Sequence, residues 1–176
     1  LLDRGIEVCG WGERVAIYDA NKNESWTYFQ LQKQVNRFGN ALKLLGVEPG
    51  DRVMWRFGEI PEAAVVQLAI WKIGAINVPS AIPERAREIT YIANDIEAKV
   101  LVTQAEGLDQ VVKALPDLKT VKAVIVVPDT DNPEFYSYKH LIAQASDVLE
   151  AHPTQPDDAA SIFYTGGTTG RPKGCI

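Results

Sequence analysis

One short segment near the end of the sequence combines the residue types that hold phosphate groups. Residues 165–174 contain four glycines, three threonines and one lysine. Glycine lets backbone N–H groups approach a ligand closely, and threonine hydroxyls add further donors. The lysine ammonium supplies a mobile positive charge, and Pro172 fixes the backbone just before it. The candidate phosphate-binding residues are Thr165, Gly166, Gly167, Thr168, Thr169, Gly170 and Lys173.

This segment differs from the common phosphate-binding loop, which follows the pattern GxxxxGK[ST] and leads into a helix. Lys173 is instead followed by Gly174, Cys175 and Ile176, which predict the start of a strand. The apolar residues 160–164 predict another strand before the segment, so the loop is expected to join two strands. No GxGxxG follows a predicted strand, which argues against a dinucleotide site. On composition alone, a plain surface hairpin stays open as an alternative.

The elements that must position this loop are predicted from apolar spacing, which alternates between strand and helix patterns along the chain. Thr27 and Gln30 predict a capping box at the start of a helix that ends before Gly46. Pro61 suits the first turn of the following helix, which Gly74 ends. The other predicted helices are 85–94, 107–115 and 138–149, and the predicted strands before the loop are 15–18, 25–27, 53–57, 75–78, 100–103 and 121–127.

These elements predict an α/β fold with a doubly wound, mostly parallel sheet flanked by helices. The β-branched run at 121–127 is typical of a parallel strand that is buried on both faces. The polar stretch 152–158 reads as a linker. We therefore expect an α/β subdomain over residues 1–158, with residues 159–176 forming the strand and phosphate-binding loop that begin the next subdomain.

Composition and charge narrow the classes of function. The 176 residues are 46% hydrophobic and 23% charged, as in ordinary globular domains. A net charge of -5 argues against nucleic acid as a partner. Cys9 and Cys175 lack metal-ligand spacing and are expected to be reduced thiols, and no metal site is predicted. No membrane span or signal sequence is expected, which predicts a cytoplasmic protein. The start at Leu1 and the stop at Ile176 suggest a truncated chain.

Residues 164–174 closely resemble the signature of the adenylate-forming superfamily, which includes acyl- and aryl-CoA synthetases, firefly-type luciferases and peptide-synthetase adenylation domains. The resemblance covers nearly the whole chain and implies the N-terminal part of the large domain of such an enzyme. Its further landmarks are Trp26, Thr27, Tyr28, Asn36, Arg37, residues 42–47, Pro49, Gly50, Asp51, Arg52, Val53, Lys72, Ile73, Gly74, Ala75, Pro79, Tyr91, Ile92, Asn94, Asp95 and residues 99–103.

The resemblance implies an enzyme that activates a carboxylic acid with ATP and Mg²⁺ and then transfers the acyl group to a thiol such as CoA. In this family the loop holds the β- and γ-phosphates of ATP. The sequence departs from the family at Gly166, where a serine is usual, so one hydroxyl donor is missing. The family's adenine-binding, acid-binding and catalytic-lysine regions are expected beyond Ile176. No catalytic residue is therefore assigned, and the segment alone is expected to be inactive.

Three functions stay open. The first is a segment of an acid-CoA ligase, with an aromatic or short-chain acid suggested by analogy to that branch. The second is a peptide-synthetase adenylation domain. The third is a non-catalytic segment that mainly packs against the rest of its own chain or a partner, with the loop as a residual phosphate binder. The acid, the thiol acceptor and the oligomeric state, a homo-oligomer included, are not specified by the sequence.

Overall fold

Six α-helices and nine β-strands occur in residues 2–165 and 172–176, the part of the chain that the computed structural model describes. No helix in this part is long and apolar enough to cross a membrane. In chain order the elements are α1 (Leu2–Glu7), β1 (Val15–Asp19), β2 (Glu24–Thr27), α2 (Tyr28–Leu44), β3 (Arg52–Arg56), α3 (Pro61–Lys72), β4 (Ile76–Ser80), α4 (Ala86–Asp95), β5 (Val100–Gln104), α5 (Leu108–Ala114), β6 (Ala123–Val127), β7 (Tyr136–Ser137), α6 (Tyr138–Gln144), β8 (Phe163–Thr165) and β9 (Lys173–Cys175).

Five of these strands form one parallel sheet with the order β4-β3-β5-β6-β7. Strand β4 lies next to β3 at one edge of the sheet. The chain then crosses back to form β5 on the other side of β3, and β6 and β7 follow outward from β5. This strand order is one of the two common doubly wound arrangements, so the predicted fold class is confirmed. The pairs β1-β2 and β8-β9 form separate antiparallel hairpins.

Both faces of the parallel sheet are buried, because side chains alternate between two hydrophobic layers along each strand. Val53 and Ile125 pack with α2, α3 and α6, whereas Met54 and Val124 pack with α4 and α5. Every residue of β6 is buried. The apolar run that predicted a strand covered on both faces is therefore confirmed.

Two predicted helix starts are also confirmed. The amide of Gln30 donates to Oγ1 of Thr27 at 3.3 Å, and the amide of Thr27 donates to Oε1 of Gln30 at 2.7 Å, which completes the capping box of α2. Pro61 occupies the first turn of α3, where its missing N–H costs nothing. Gly46 and Gly74 follow α2 and α3 with φ of 83° and 75°, a conformation that glycine adopts without strain.

The predicted helix over 138–149 is wrong at its C-terminal end, since α6 ends at Gln144. Two side-chain amides from α2 hold the carbonyls of the following residues instead. Nδ2 of Asn36 donates to the carbonyl of Asp147 at 2.7 Å. Nδ2 of Asn40 donates to the carbonyls of residues 146 and 148 at 2.8 and 3.0 Å. These tertiary hydrogen bonds outweigh the local helical preference.

The sequence patterns predicted neither α1 nor the short edge strand β7. Helix α1 is attached through Asp3, whose carboxylate accepts hydrogen bonds from Lys72 and Gln32, both at 2.7 Å. Burial works to raise the pKa of Asp3, but the bonds from Lys72 and Gln32 outweigh it and hold the pKa below its usual value. A six-residue helix of this kind depends on tertiary contacts, because isolated short helices are marginal in water.

A buried arginine fixes the carboxyl end of β3. Arg56 is 0% exposed, and no carboxylate lies within ion-pair distance among the described residues. Its guanidinium donates to the carbonyls of Gly107 at 3.0 Å, Ile82 at 2.8 Å, Glu84 at 2.9 Å and Ala81 at 3.4 Å. Burial lowers the pKa of Arg56. The carbonyl dipoles take the place of a carboxylate partner.

The same edge of the sheet is where doubly wound folds often bind ligands, because the strand order reverses between β3 and β5. Protein groups occupy this position. The amide of Gly58 donates to Oε1 of Gln104 at 3.0 Å, and the Arg56 guanidinium lies between the two loops that follow β4 and β5. This switch point is therefore occupied by the protein's own side chains.

Replacement of Arg56 is predicted to destabilise the fold strongly. Arg56→Met leaves the buried or part-buried carbonyls of both loops without their donor, and because each unpaired carbonyl costs about 1–3 kcal/mol, a total loss of about 3 kcal/mol or more is expected. Urea denaturation of the full gene product followed by tryptophan fluorescence measures this loss. Arg87→Met, at an exposed position of α4, is the control and is expected to change stability by less than about 0.5 kcal/mol. Equal effects of the two substitutions would contradict the assigned role of Arg56.

Candidate functional site

The predicted phosphate-binding loop is flanked by the hairpin strands β8 and β9. Their register pairs Phe163 with Cys175, Tyr164 with Gly174 and Thr165 with Lys173. The prediction that the loop joins two strands is therefore confirmed. Of the seven candidate residues, Thr165 and Lys173 belong to the described part of the chain. The other five lie outside the described residues, namely Gly166, Gly167, Thr168, Thr169 and Gly170.

Thr165 and Lys173 are brought together by this pairing. Directly opposed residues of an antiparallel pair lie on the same face, with Cβ atoms about 4.5–5.5 Å apart. Both residues are exposed. Lys173 forms no ion pair with any described residue. The hairpin therefore presents one hydroxyl and one available ammonium side by side at the base of the loop.

The base of the hairpin is bonded to the outer edge of β4. Asn77 donates its amide to the carbonyl of Ala160 at 3.0 Å and accepts from the amide of Ile162 at 2.9 Å. Its side chain is fully buried, with Nδ2 donating to Oγ of Ser161 at 3.2 Å and Oδ1 accepting from the indole N–H of Trp55. The residues that follow the predicted linker are thus tied to the sheet. The proposed subdomain boundary at residue 158 stays a prediction.

The other face of the hairpin rests on helix α4. The hydroxyl of Tyr164 donates to the carboxylate of Asp95, and the hydroxyl of Tyr91 donates to the carbonyl of Pro172 at 3.2 Å. The rings of Tyr91 and Tyr164 meet edge to face with centroids 6.4 Å apart. Burial, followed by the hydrogen bond to Asp95, raises the pKa of Tyr164, so this hydroxyl stays protonated at neutral pH.

The sequence patterns predict no role for these tyrosines or for Asp95, although all three stand at positions that resemble the family. Two signals were available. Tyr164 and Gly174 stand opposite one another if the predicted hairpin is paired symmetrically about its loop. Tyr91 and Asp95 are four residues apart on a predicted helix, which places them on one face.

The described residues of this site include one free cysteine, Cys175 of β9, and no metal-binding cluster. Residues 2–165 and 172–176 contain no group of three or more histidine, cysteine, aspartate or glutamate side chains that could hold a metal ion. Cys9 and Cys175 are both free and exposed, as expected for reduced thiols.

Comparison with known proteins assigns the chain to a family. The model of the family described as "AMP-binding enzyme" matches residues 7–176. The chain therefore belongs to the AMP-binding enzymes, and the resemblance stated from the sequence is confirmed.

Several members with known names are similar to this chain. It is 34% identical over 165 residues to 3-hydroxybenzoate--CoA/4-hydroxybenzoate--CoA ligase of Thauera aromatica, covering 93% of this chain and 31% of that protein. It is 35% identical over 169 residues to 3-oxocholest-4-en-26-oate--CoA ligase of Rhodococcus rhodochrous, covering 93% and 30%. The crystal structure of the anthranilate CoA ligase AuaEII in complex with anthranoyl-AMP matches with a TM-score of 0.92 and 29% identity, covering 98% of this chain and 33% of that one.

The chain spans about a third of the length of these curated relatives. All three belong to the acyl- and aryl-CoA ligases by name. The similarity in structure extends over nearly all of this chain, so its elements have the arrangement found in the corresponding third of such a ligase.

Proposed function

We propose that this chain supplies the ATP β/γ-phosphate-binding loop of an AMP-forming acid-CoA ligase. The proposal rests on the cross-strand pairing of Thr165 with Lys173 at the base of a glycine-rich segment. Both side chains are exposed, and the ammonium of Lys173 is not used by any described carboxylate. A hydroxyl and an ammonium on one face suit the oxygens of a polyphosphate.

The chemistry proposed for the full gene product has two steps. A carboxylate oxygen attacks the α-phosphorus of ATP, the bond to the α,β-bridging oxygen breaks, and pyrophosphate leaves with the electron pair. The thiolate of CoA then attacks the acyl carbon, and AMP leaves. The Lys173 ammonium partly neutralises the charge that grows on the departing pyrophosphate, and the threonine hydroxyls of the loop donate hydrogen bonds to it. A well-placed donor of this kind contributes about 3 kcal/mol to transition-state stabilisation.

The substrates are proposed from the relatives. Hydroxybenzoates, a steroid acid and anthranilate are the acids in their names, and all carry a carboxylate. The shared chemistry supports a carboxylic acid, ATP and CoA as substrates, with aromatic acids the first class to test. Mg²⁺ is proposed to enter with ATP, which fits the lack of a metal-binding cluster in the described residues.

Acid-dependent exchange between ATP and pyrophosphate tests the proposed function. The full gene product is assayed with benzoate-like, short-chain and long-chain acids and with amino acids. We expect exchange with at least one acid and subsequent formation of its CoA thioester. Exchange with amino acids alone and no thioester would favour a peptide-synthetase type of adenylation. Folded, complete protein without exchange for any acid would favour a non-catalytic role.

Removal of the Lys173 ammonium tests the loop itself. Lys173→Ala is predicted to slow acid-dependent exchange about 100-fold or more, which is the size of effect seen when one preorganised donor to developing charge is removed. Lys173→Arg keeps the charge but changes its geometry, so an intermediate rate is expected.

The matched control for Lys173 is Lys139→Ala. Lys139 is also an exposed lysine, but it belongs to α6 and pairs with Asp129 at 3.7 Å on the opposite face of the sheet from α4. Its replacement is expected to leave the exchange rate unchanged. An exchange rate in Lys173→Ala equal to that of Lys139→Ala would rule out phosphate binding by Lys173.

A further inference from the structure

We propose that Tyr164, Asp95 and Tyr91 form a clamp that positions the phosphate-binding hairpin and thereby sets the affinity for ATP. This inference rests on the function proposed above. It assigns a role to residues that lie on the opposite side of the hairpin from Thr165 and Lys173, and the role is one of positioning rather than of contact with the substrate.

Strand alternation separates the two faces of the hairpin. Thr165 and Lys173 share one face, and the next pair along the ladder, Tyr164 and Gly174, shares the other. A Cβ added at Gly174 would lie 3.3 Å from Cζ and 3.4 Å from the hydroxyl oxygen of Tyr164, and 3.1 Å from Ile162. The Tyr164 side chain therefore passes across Gly174 and fills the space that a side chain there would take.

Two residues of helix α4 that are one helical turn apart contact this face of the hairpin. Asp95 accepts the hydroxyl of Tyr164, which belongs to β8. Tyr91 donates to the carbonyl of Pro172, the residue immediately before β9. Each side of the loop is thus held by a different residue of the same helix, and the edge-to-face contact between the two rings couples the bonds.

The hairpin needs such support because it is short. Strands β8 and β9 contain three residues each, and an isolated two-stranded hairpin is at best marginally stable in water. The hydrogen bonds of Asn77 hold residues 160–162, which lead into β8. They do not reach β9, so the bond from Tyr91 to Pro172 fixes the side of the loop that carries Lys173.

Loss of the clamp is expected to weaken the binding of ATP and not the binding of the carboxylic acid. Misplacement of a binding group by about 1 Å is enough to weaken its function greatly, and a loop that must be ordered on binding loses affinity. A loosened hairpin moves Thr165 and Lys173 relative to the polyphosphate. The carboxylic acid is not bound by these residues, so its KM is expected to stay unchanged.

Conservative substitutions in the full gene product test the clamp. Tyr164→Phe keeps the ring and removes the hydroxyl, and it is predicted to raise the KM for ATP about tenfold, as expected for the loss of a hydrogen bond to a charged acceptor. Asp95→Ala should do the same, whereas Asp95→Asn retains an acceptor and should stay within about threefold of wild type. The double variant Tyr164→Phe/Asp95→Ala should be no worse than either single variant, because both remove one interaction.

The control is Tyr18→Phe in the separate β1-β2 hairpin. This tyrosine also donates its hydroxyl to a side chain, Oδ1 of Asn23, at 2.7 Å. Its replacement is expected to leave the KM values for ATP and acid unchanged. If Tyr164→Phe lowers kcat and the unfolding temperature without a selective rise in the KM for ATP, its role is one of general stability and the clamp is overturned.

The outcome separates this inference from the proposed function. If the wild-type protein catalyses ATP–pyrophosphate exchange, and Tyr164→Phe and Asp95→Ala leave the KM for ATP unchanged, the clamp alone is overturned. If the wild-type protein shows no ATP–pyrophosphate exchange with any acid, the proposed function is overturned. In that case hydrogen exchange of the amides in residues 163–175 still measures the clamp, which predicts faster exchange in Tyr164→Phe than in Tyr18→Phe, and equal rates would reject it.

Discussion

At the carboxyl end of β3, the guanidinium of Arg56 holds the carbonyls of two loops, one leading into α4 and the other into α5. A buried cation without a carboxylate partner is costly unless its donors are satisfied. Both terminal nitrogens of Arg56 bond to these carbonyls, whereas Nε has no partner among the described residues, so the arrangement is stable only while both loops keep their positions. The side chain of Glu84 adds to it by accepting the hydroxyl of Ser80, the last residue of β4. The start of α4 is thereby tied to the two neighbouring strands β3 and β4.

Helix α4 connects the network around Arg56 to the candidate site. Its N-terminal approach is fixed by Arg56, its inner face packs in the hydrophobic layer with Met54 and Leu101, and its outer residues Tyr91 and Asp95 contact the hairpin. A second attachment runs from Asn77 of β4 to the chain just before β8. The hairpin is therefore held from the sheet and from a helix, while its opposite face presents Thr165 and Lys173. Because side chains alternate along the two short strands, the residues that anchor the hairpin and the residues proposed to bind phosphate lie on opposite faces.

Local signals were sufficient to predict much of this architecture. The capping box at Thr27, the proline start of α3 and the buried run of β6 each follow from interactions within a few residues, and the mostly parallel sheet follows from the alternation of strands and helices. The end of α6 could not be predicted, because Asn36 and Asn40 take up carbonyls that lie more than a hundred residues away in sequence. The clamp could not be predicted from the sequence for the same reason. Its two hydrogen bonds join residues separated by 69 and 81 positions, and no local pattern specifies such pairs.

The loop between β8 and β9 is proposed to bind the β- and γ-phosphates of ATP. Titration calorimetry of the full gene product with MgATP and with AMP tests it most directly, because the two ligands differ only in those phosphates and their cation. Wild type is predicted to bind MgATP more tightly than AMP. Lys173→Ala is predicted to weaken binding of MgATP about tenfold or more, or about 1.4 kcal/mol, and to leave the affinity for AMP unchanged. Equal affinities of wild type for the two ligands, or an equal loss for both in Lys173→Ala, would contradict it.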